Sequence, residues 1–116
     1  MAPAKFRLDN LCIFVDNHNL QIDGTIDKII NPYPIDKKLE SFGFYVININ
    51  GNDTKEIEEA LNKAKQIKGM PTAIIAKTIK GKGVSFMEDN VGWHGKAPNE
   101  EEYKLALTEL GGEADE

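Results

Sequence analysis

Three short apolar runs, each closed by turn-forming residues, constrain this chain more than any other feature. They are Leu11-Cys-Ile-Phe-Val15, Phe44-Tyr-Val-Ile-Asn-Ile49 and Thr72-Ala-Ile-Ile-Ala76. Runs of this length, with β-branched residues and polar or glycine boundaries, suit strands buried on both faces. Between the second and third, Ile57, Ala60, Leu61, Ala64 and Ile67 recur at helical spacing and form one apolar stripe. Asp53 and Glu56 have the spacing of a capping box at its start, and Gly69 and Pro71 stop it. A shorter helix, Lys37 to Phe42, is expected after the rigid Asn31-Pro-Tyr-Pro34 stretch, with Asp36 as its N-cap and Gly43 as its stop. A last helix starts at Asn99 with Glu102 and carries Tyr103, Ala106, Leu107 and Leu110 as its apolar face. Strand, helix, strand, helix, strand is the grammar of a parallel α/β sheet. Three buried strands make a thin sheet whose edges call for neighbours.

The composition agrees with one globular domain and excludes some partners. Of 116 residues, 41% are apolar and 28% charged, with a formal net charge of −5. No basic stripe is available to neutralise phosphates, which argues against a nucleic-acid partner. The N-terminus (Met1-Ala-Pro-Ala-Lys-Phe-Arg) has no apolar core of signal-peptide length, and no segment reaches membrane-spanning length, so the chain reads as cytoplasmic. The single cysteine, Cys12, has apolar neighbours and is expected to be buried and inert. Residues 1–9 and 111–116 are expected to fray.

Three polar segments follow strands, and in open α/β sheets ligands bind at the carboxyl ends of strands. The first is Val15-Asp-Asn-His-Asn-Leu-Gln-Ile-Asp-Gly24. Alone it reads first as a turn in which Asp16 and Asn17 bond their own backbone; the sharper alternative is an oxygen-rich site for a hard cation such as Mg²⁺. The second is Lys77-Thr-Ile-Lys-Gly-Lys-Gly83, where glycines permit close backbone approach and lysines suit phosphate. Its spacing is not that of a Walker loop, and a mobile basic turn is an equal reading. The third is Gly92-Trp-His-Gly-Lys-Ala-Pro98, with His94 beside the only tryptophan. Held between glycines and a proline, His94 suits proton transfer or phosphate binding, although a lone loop histidine is more often simply solvated.

In this order and spacing the three segments resemble transketolase, over roughly residues 5 to 110. The likeness is nearest to enzymes split into two subunits. It implies a three-layer αβα parallel sheet, the C-terminal part of a thiamine diphosphate-binding domain spanning 1–116. The implied activity is transfer of a two-carbon ketol unit from a ketose phosphate to an aldose phosphate. The resemblance implies cofactor contacts from Asn17, His18, Leu20, Ile22 and His94, with His94 catalytic, and metal contacts (Mg²⁺ or Ca²⁺) from His18 and the Leu20 carbonyl.

Two departures qualify it. The family's Gly-Asp-Gly is absent, and the expected asparagine pair reads Asn17-His18, which puts an imidazole where an oxygen ligand is usual. Lys96 is also inserted relative to the commoner H-G-A-P form. The isolated chain is therefore expected to bind thiamine diphosphate with metal weakly or not at all. It is expected to need both a missing N-terminal segment and a partner subunit that binds the pyrimidine. The alternative is a non-catalytic interaction or regulatory module. A fragment related to deoxyxylulose-phosphate synthase is disfavoured, because the Leu20-Gln-Ile-Asp-Gly24 run is present. Unpaired strand edges lead to the further expectation of a homo-oligomer.

Overall fold

A computed structural model of the chain describes residues 1–21 and 23–112. Ile22, one of the implied cofactor contacts, and the last four positions of the expected frayed end (113–116) lie outside the described residues. The elements run α1 (Ala2–Lys5), β1 (Cys12–Asn17), β2 (Leu20–Gln21), β3 (Gly24–Thr25), α2 (Ile26–Ile29), α3 (Ile35–Ser41), β4 (Tyr45–Asn50), α4 (Thr54–Gln66), β5 (Thr72–Lys77), a 3-10 turn (Val91–Trp93) and α5 (Glu100–Glu109). The fold class is α/β, with a parallel sheet of order β1-β5-β4. The two-residue strands β2 and β3 form a separate antiparallel pair, which the sequence did not signal.

The register places Cys12, Thr72 and Tyr45 side by side at one end of the sheet, and Asn17, Lys77 and Asn50 at the other. All three carboxyl ends therefore stop at the same level. Because side chains alternate across a strand, Asn17, Lys77 and Asn50 share one face with the row above them, Val15, Ile75 and Asn48. The core gathers on β5: Thr72, Ala73, Ile74, Ile75 and Ala76 are all buried, together with Ala60 and Ala64 from α4. Among the described strands, β5 is the one whose successive residues are buried on both faces. In β1, exposed and half-buried residues alternate, and Cys12, expected inside, is exposed. The reason is position: β1 is a sheet edge, and no described element lies along its free side.

The helix caps show how local and tertiary demands divide. Asn99 and Glu102 form the full reciprocal box at α5, with Asn99 Oδ1 accepting from Glu102 N at 2.9 Å and Glu102 Oε2 accepting from Asn99 N at 2.8 Å. At α4 only half of the box forms. Asp53 Oδ1 accepts from Lys55 N and Glu56 N, but Glu56 Oε2 accepts instead from Asn50 N, at 2.6 Å. Glu56 thus ties the helix to the end of β4. Asp36 is not an N-cap: α3 begins one residue earlier, and the Asp36 carboxylate accepts from Lys37 N within the first turn. On α5, Ala106 and Leu107 are half-buried, while Tyr103 and Leu110 stand in solvent.

Candidate functional site

At the carboxyl end of the sheet the backbone turns sharply out of each strand. Gly51, after β4, comes so close to β5 that an added Cβ would lie 2.7 Å from the Ala76 Cβ, so only glycine fits. Thr78 N donates to the Asn17 carbonyl at 3.2 Å, and the Thr78 hydroxyl donates to the Asp16 carboxylate. These bonds lock the exit of β1 to the exit of β5. Asn19 has φ of 59°, a left-handed conformation that asparagine tolerates better than most side chains. Its carbonyl accepts from Ile26 N at 3.1 Å.

Two concavities lie near this seam, one lined by Asn17, Lys77 and Thr78 and the other by His18 and Lys80. In the second, His18, Leu20, Gln21, Lys80, Val91 and His94 line one narrow cleft of about 10 Å³. A space that small is a wall for a ligand rather than a container. It nevertheless unites residues from all three polar segments. Leu20 is buried, His18 and Lys80 are half-buried, and His94 is exposed.

His94 is positioned by the loop before it. Asn90 Oδ1 accepts from Gly92 N at 2.9 Å, and His94 N donates to the Val91 carbonyl at 3.0 Å. Trp93 anchors the turn, its indole N–H donating to the Phe86 carbonyl at 3.0 Å with the two rings 5.5 Å apart. Lys96, the inserted residue, places its ammonium 4.1 Å from the Trp93 ring centre and 3.0 Å from the Glu102 carboxylate. It therefore clamps the histidine loop to the first turn of α5.

Three carboxylates brace the same region, and each sits below its ordinary range. Glu88 is lowered first by the hydrogen bond from Gly83 N, Glu102 first by that from Asn99 N and then by Lys96, and Glu109 by the Ser85 hydroxyl and N–H. Gly81, with φ of 74°, makes the turn after Lys80 possible, since an added Cβ would lie 2.7 Å from the Met87 carbonyl oxygen.

The other concavity is a cavity of about 770 Å³ between the sheet, Tyr33 and the start of α3. The Tyr33 hydroxyl donates to Asn17 Oδ1 at 2.9 Å, with Asn19 Oδ1 at 3.2 Å. Asn17 therefore lines this cavity, while His18, Leu20 and His94 line the narrow cleft. Tyr33, Gln21 and Val91 were not singled out by the sequence. Gln21 lies inside a quoted motif without being assigned a role, and only the tertiary fold brings Tyr33 and Val91 to these surfaces.

The described side chains do not fit a hard divalent cation. His18 Nδ1 accepts from Leu20 N at 3.2 Å, so the neutral ring carries its proton on Nε2 and offers no lone pair there. The Asp16 carboxylate is engaged by Thr78, and among the described residues no group of three or more His, Cys, Asp or Glu side chains converges. Metal ligation by the His18 side chain, implied by the resemblance, finds no support in this arrangement. The cleft's half-buried lysine and two histidines do suit an anionic diphosphate.

The whole chain, residues 1–116, matches the family described as transketolase, thiamine diphosphate binding domain. The chain belongs to the transketolase family. Among relatives of this transketolase-family chain, an apulose-4-phosphate transketolase subunit of Actinobacillus succinogenes is 41% identical over 95% of the chain and 40% of its own length. The 6-deoxy-6-sulfo-D-fructose transketolase subunit SqwG of a Clostridium species is 41% identical over 90% of the chain and 38% of its own length. The transketolase-family chain thus spans about 40% of the length of these subunits. The crystal structure of transketolase from Campylobacter jejuni superposes with a TM-score of 0.87 and 34% identity, covering 97% of the chain and 17% of the larger protein.

Proposed function

We propose that this chain forms one wall of a thiamine diphosphate site and acts, with a pyrimidine-binding partner subunit, in moving a two-carbon ketol unit from a ketose phosphate to an aldose phosphate. The observation that carries the reading is the cleft, where His18, Leu20, Lys80 and His94 meet from three separate segments. Lys80 serves as a point charge for the diphosphate, and its half-buried stem keeps the ammonium directed at the cleft. His94, clamped by Trp93 and Lys96, donates to the diphosphate or exchanges a proton with a substrate oxygen. When bound, thiamine diphosphate supplies the carbanion chemistry. Two relatives are named for an apulose phosphate and a sulfofructose, which makes an anionic ketose the favoured substrate class. Their designation as subunits supports a second subunit here, and the free edge of β1 supports contact between copies or with further chain.

The test is turnover after assembly with cofactor and a pyrimidine-binding subunit. His94→Ala is expected to lower turnover by about 10²–10⁴ with the assembly intact by sedimentation. A loss below about threefold in an intact, active assembly would sink the assignment. The engaged Nδ1 of His18 favours a second reading, a non-catalytic module. That reading requires assembly without measurable ketol transfer.

A further inference from the structure

We infer that the 770 Å³ cavity, lined by residues other than those of the His18–His94 cleft, is a second ligand site, built for a phosphorylated polyol. Its size is the first argument. Small-molecule sites commonly enclose about 300–1,000 Å³, and an inorganic anion alone would fill only a small part of such a space.

Its chemistry is the second. Asn17 Oδ1 accepts from Tyr33, Asn50 Oδ1 from Asn52 N at 3.1 Å, and Asn52 Oδ1 from Ile79 N at 2.8 Å. With each amide oxygen engaged, the spare group at the wall is an NH₂ donor. Asn48, exposed on the same face of β4, adds a further amide. Acceptors are fewer. Glu56 uses one carboxylate oxygen on Asn50 N, and Asp36 uses one on Lys37 N, leaving one oxygen each for hydroxyl groups. Amide donors and carboxylate acceptors in one lining match vicinal hydroxyls, which both donate and accept.

The charge fixes the remaining part of the ligand. Lys77 ends β5 at the cavity floor, between Asn17 and Asn50 in the register, and is exposed there. Lys82 also lines the cavity, with its ammonium 3.5 Å from the Glu88 carboxylate. Two lysines in a lining that also carries amides and carboxylates suit an anionic group on a hydroxylated body.

Calorimetry on the chain in its native assembly tests this with three probes: glucose 6-phosphate, glucose and inorganic phosphate. Glucose 6-phosphate is expected to bind saturably with a dissociation constant of about 1 mM or tighter, and the other two at least about tenfold more weakly. Lys77→Met and Asn48→Leu lie on exposed positions, so the fold tolerates both. Each should weaken binding about tenfold, while Lys80→Met, in the cleft, should leave it unchanged. Phosphate binding as tightly as glucose 6-phosphate would overturn the proposal, as would binding that Lys80→Met abolishes and Lys77→Met spares. Absence of saturable binding would overturn it too.

Discussion

Strands β1 and β5 lie side by side in one register, and their sequences look alike, yet they meet different environments. Ile74 in β5 is 0% exposed, while its partner Phe14 in β1 is 47% exposed. Composition says which residues tolerate burial. Neighbours decide which ones receive it. The central strand has a strand on each side and covered faces; the edge strand has one strand neighbour and a face open to solvent. The same contrast separates the two ligand-facing regions. The loop after β5 is braced by three carboxylates and an aromatic anchor, whereas the segment after β1 depends on Thr78 and Tyr33.

Truncating the paired residues is the strongest challenge to the contrast between the strands. Ile74→Ala should cost about 2–5 kcal/mol of unfolding free energy, since the cavity it leaves has no solvent to fill it. Phe14→Ala should cost only about 1 kcal/mol, because half of that ring is already in water. Denaturant titration checks both, and equal losses would mean that β1 is covered in solution. Gly81→Ala comes next. It combines a left-handed φ with a backbone contact and should cost about 1–3 kcal/mol, read as a lower melting temperature with the histidine loop displaced.

Acidification gives the smallest effect and the sharpest localisation. Glu88, Glu102 and Glu109 all have depressed folded values, so the stability they contribute is present above the ordinary glutamate range. It is lost as pH falls through the lower folded values. Fluorescence of Trp93, the only tryptophan, should therefore change on acidification before the far-ultraviolet circular dichroism of the sheet. Simultaneous change of both signals would show that the loop is not a separate acid-sensitive unit. Glu102→Gln should shift the fluorescence step and leave the sheet signal in place.

What the sequence made legible was whatever depends on near neighbours. The three strands, the long helix and the reciprocal box at Asn99 follow from periodicity and local hydrogen bonding. The box at Asp53 formed only in part because Glu56 found a competing partner in Asn50, across a turn that no propensity describes. Cys12 looked like a core residue because its sequence neighbours are apolar, but burial in a sheet depends on adjacent strands. The resemblance of the ordered segments named His18 and His94 but not Lys80, whose place beside them depends on the tertiary fold. The role of Tyr33 and the cavity it helps enclose were not legible, because they depend on where α3 packs against the sheet.

If Lys80 and His94 face one anion in one cleft, their contributions to turnover cannot be independent. A double-mutant cycle in the assembled enzyme, with Lys80→Met, His94→Ala and the pair, measures that dependence. The expected result is that the double variant loses clearly less than the product of the two single losses, by at least about tenfold, because either change already spoils the shared contact. Losses that multiply, or a Lys80→Met effect below about threefold, would contradict a single diphosphate-facing wall.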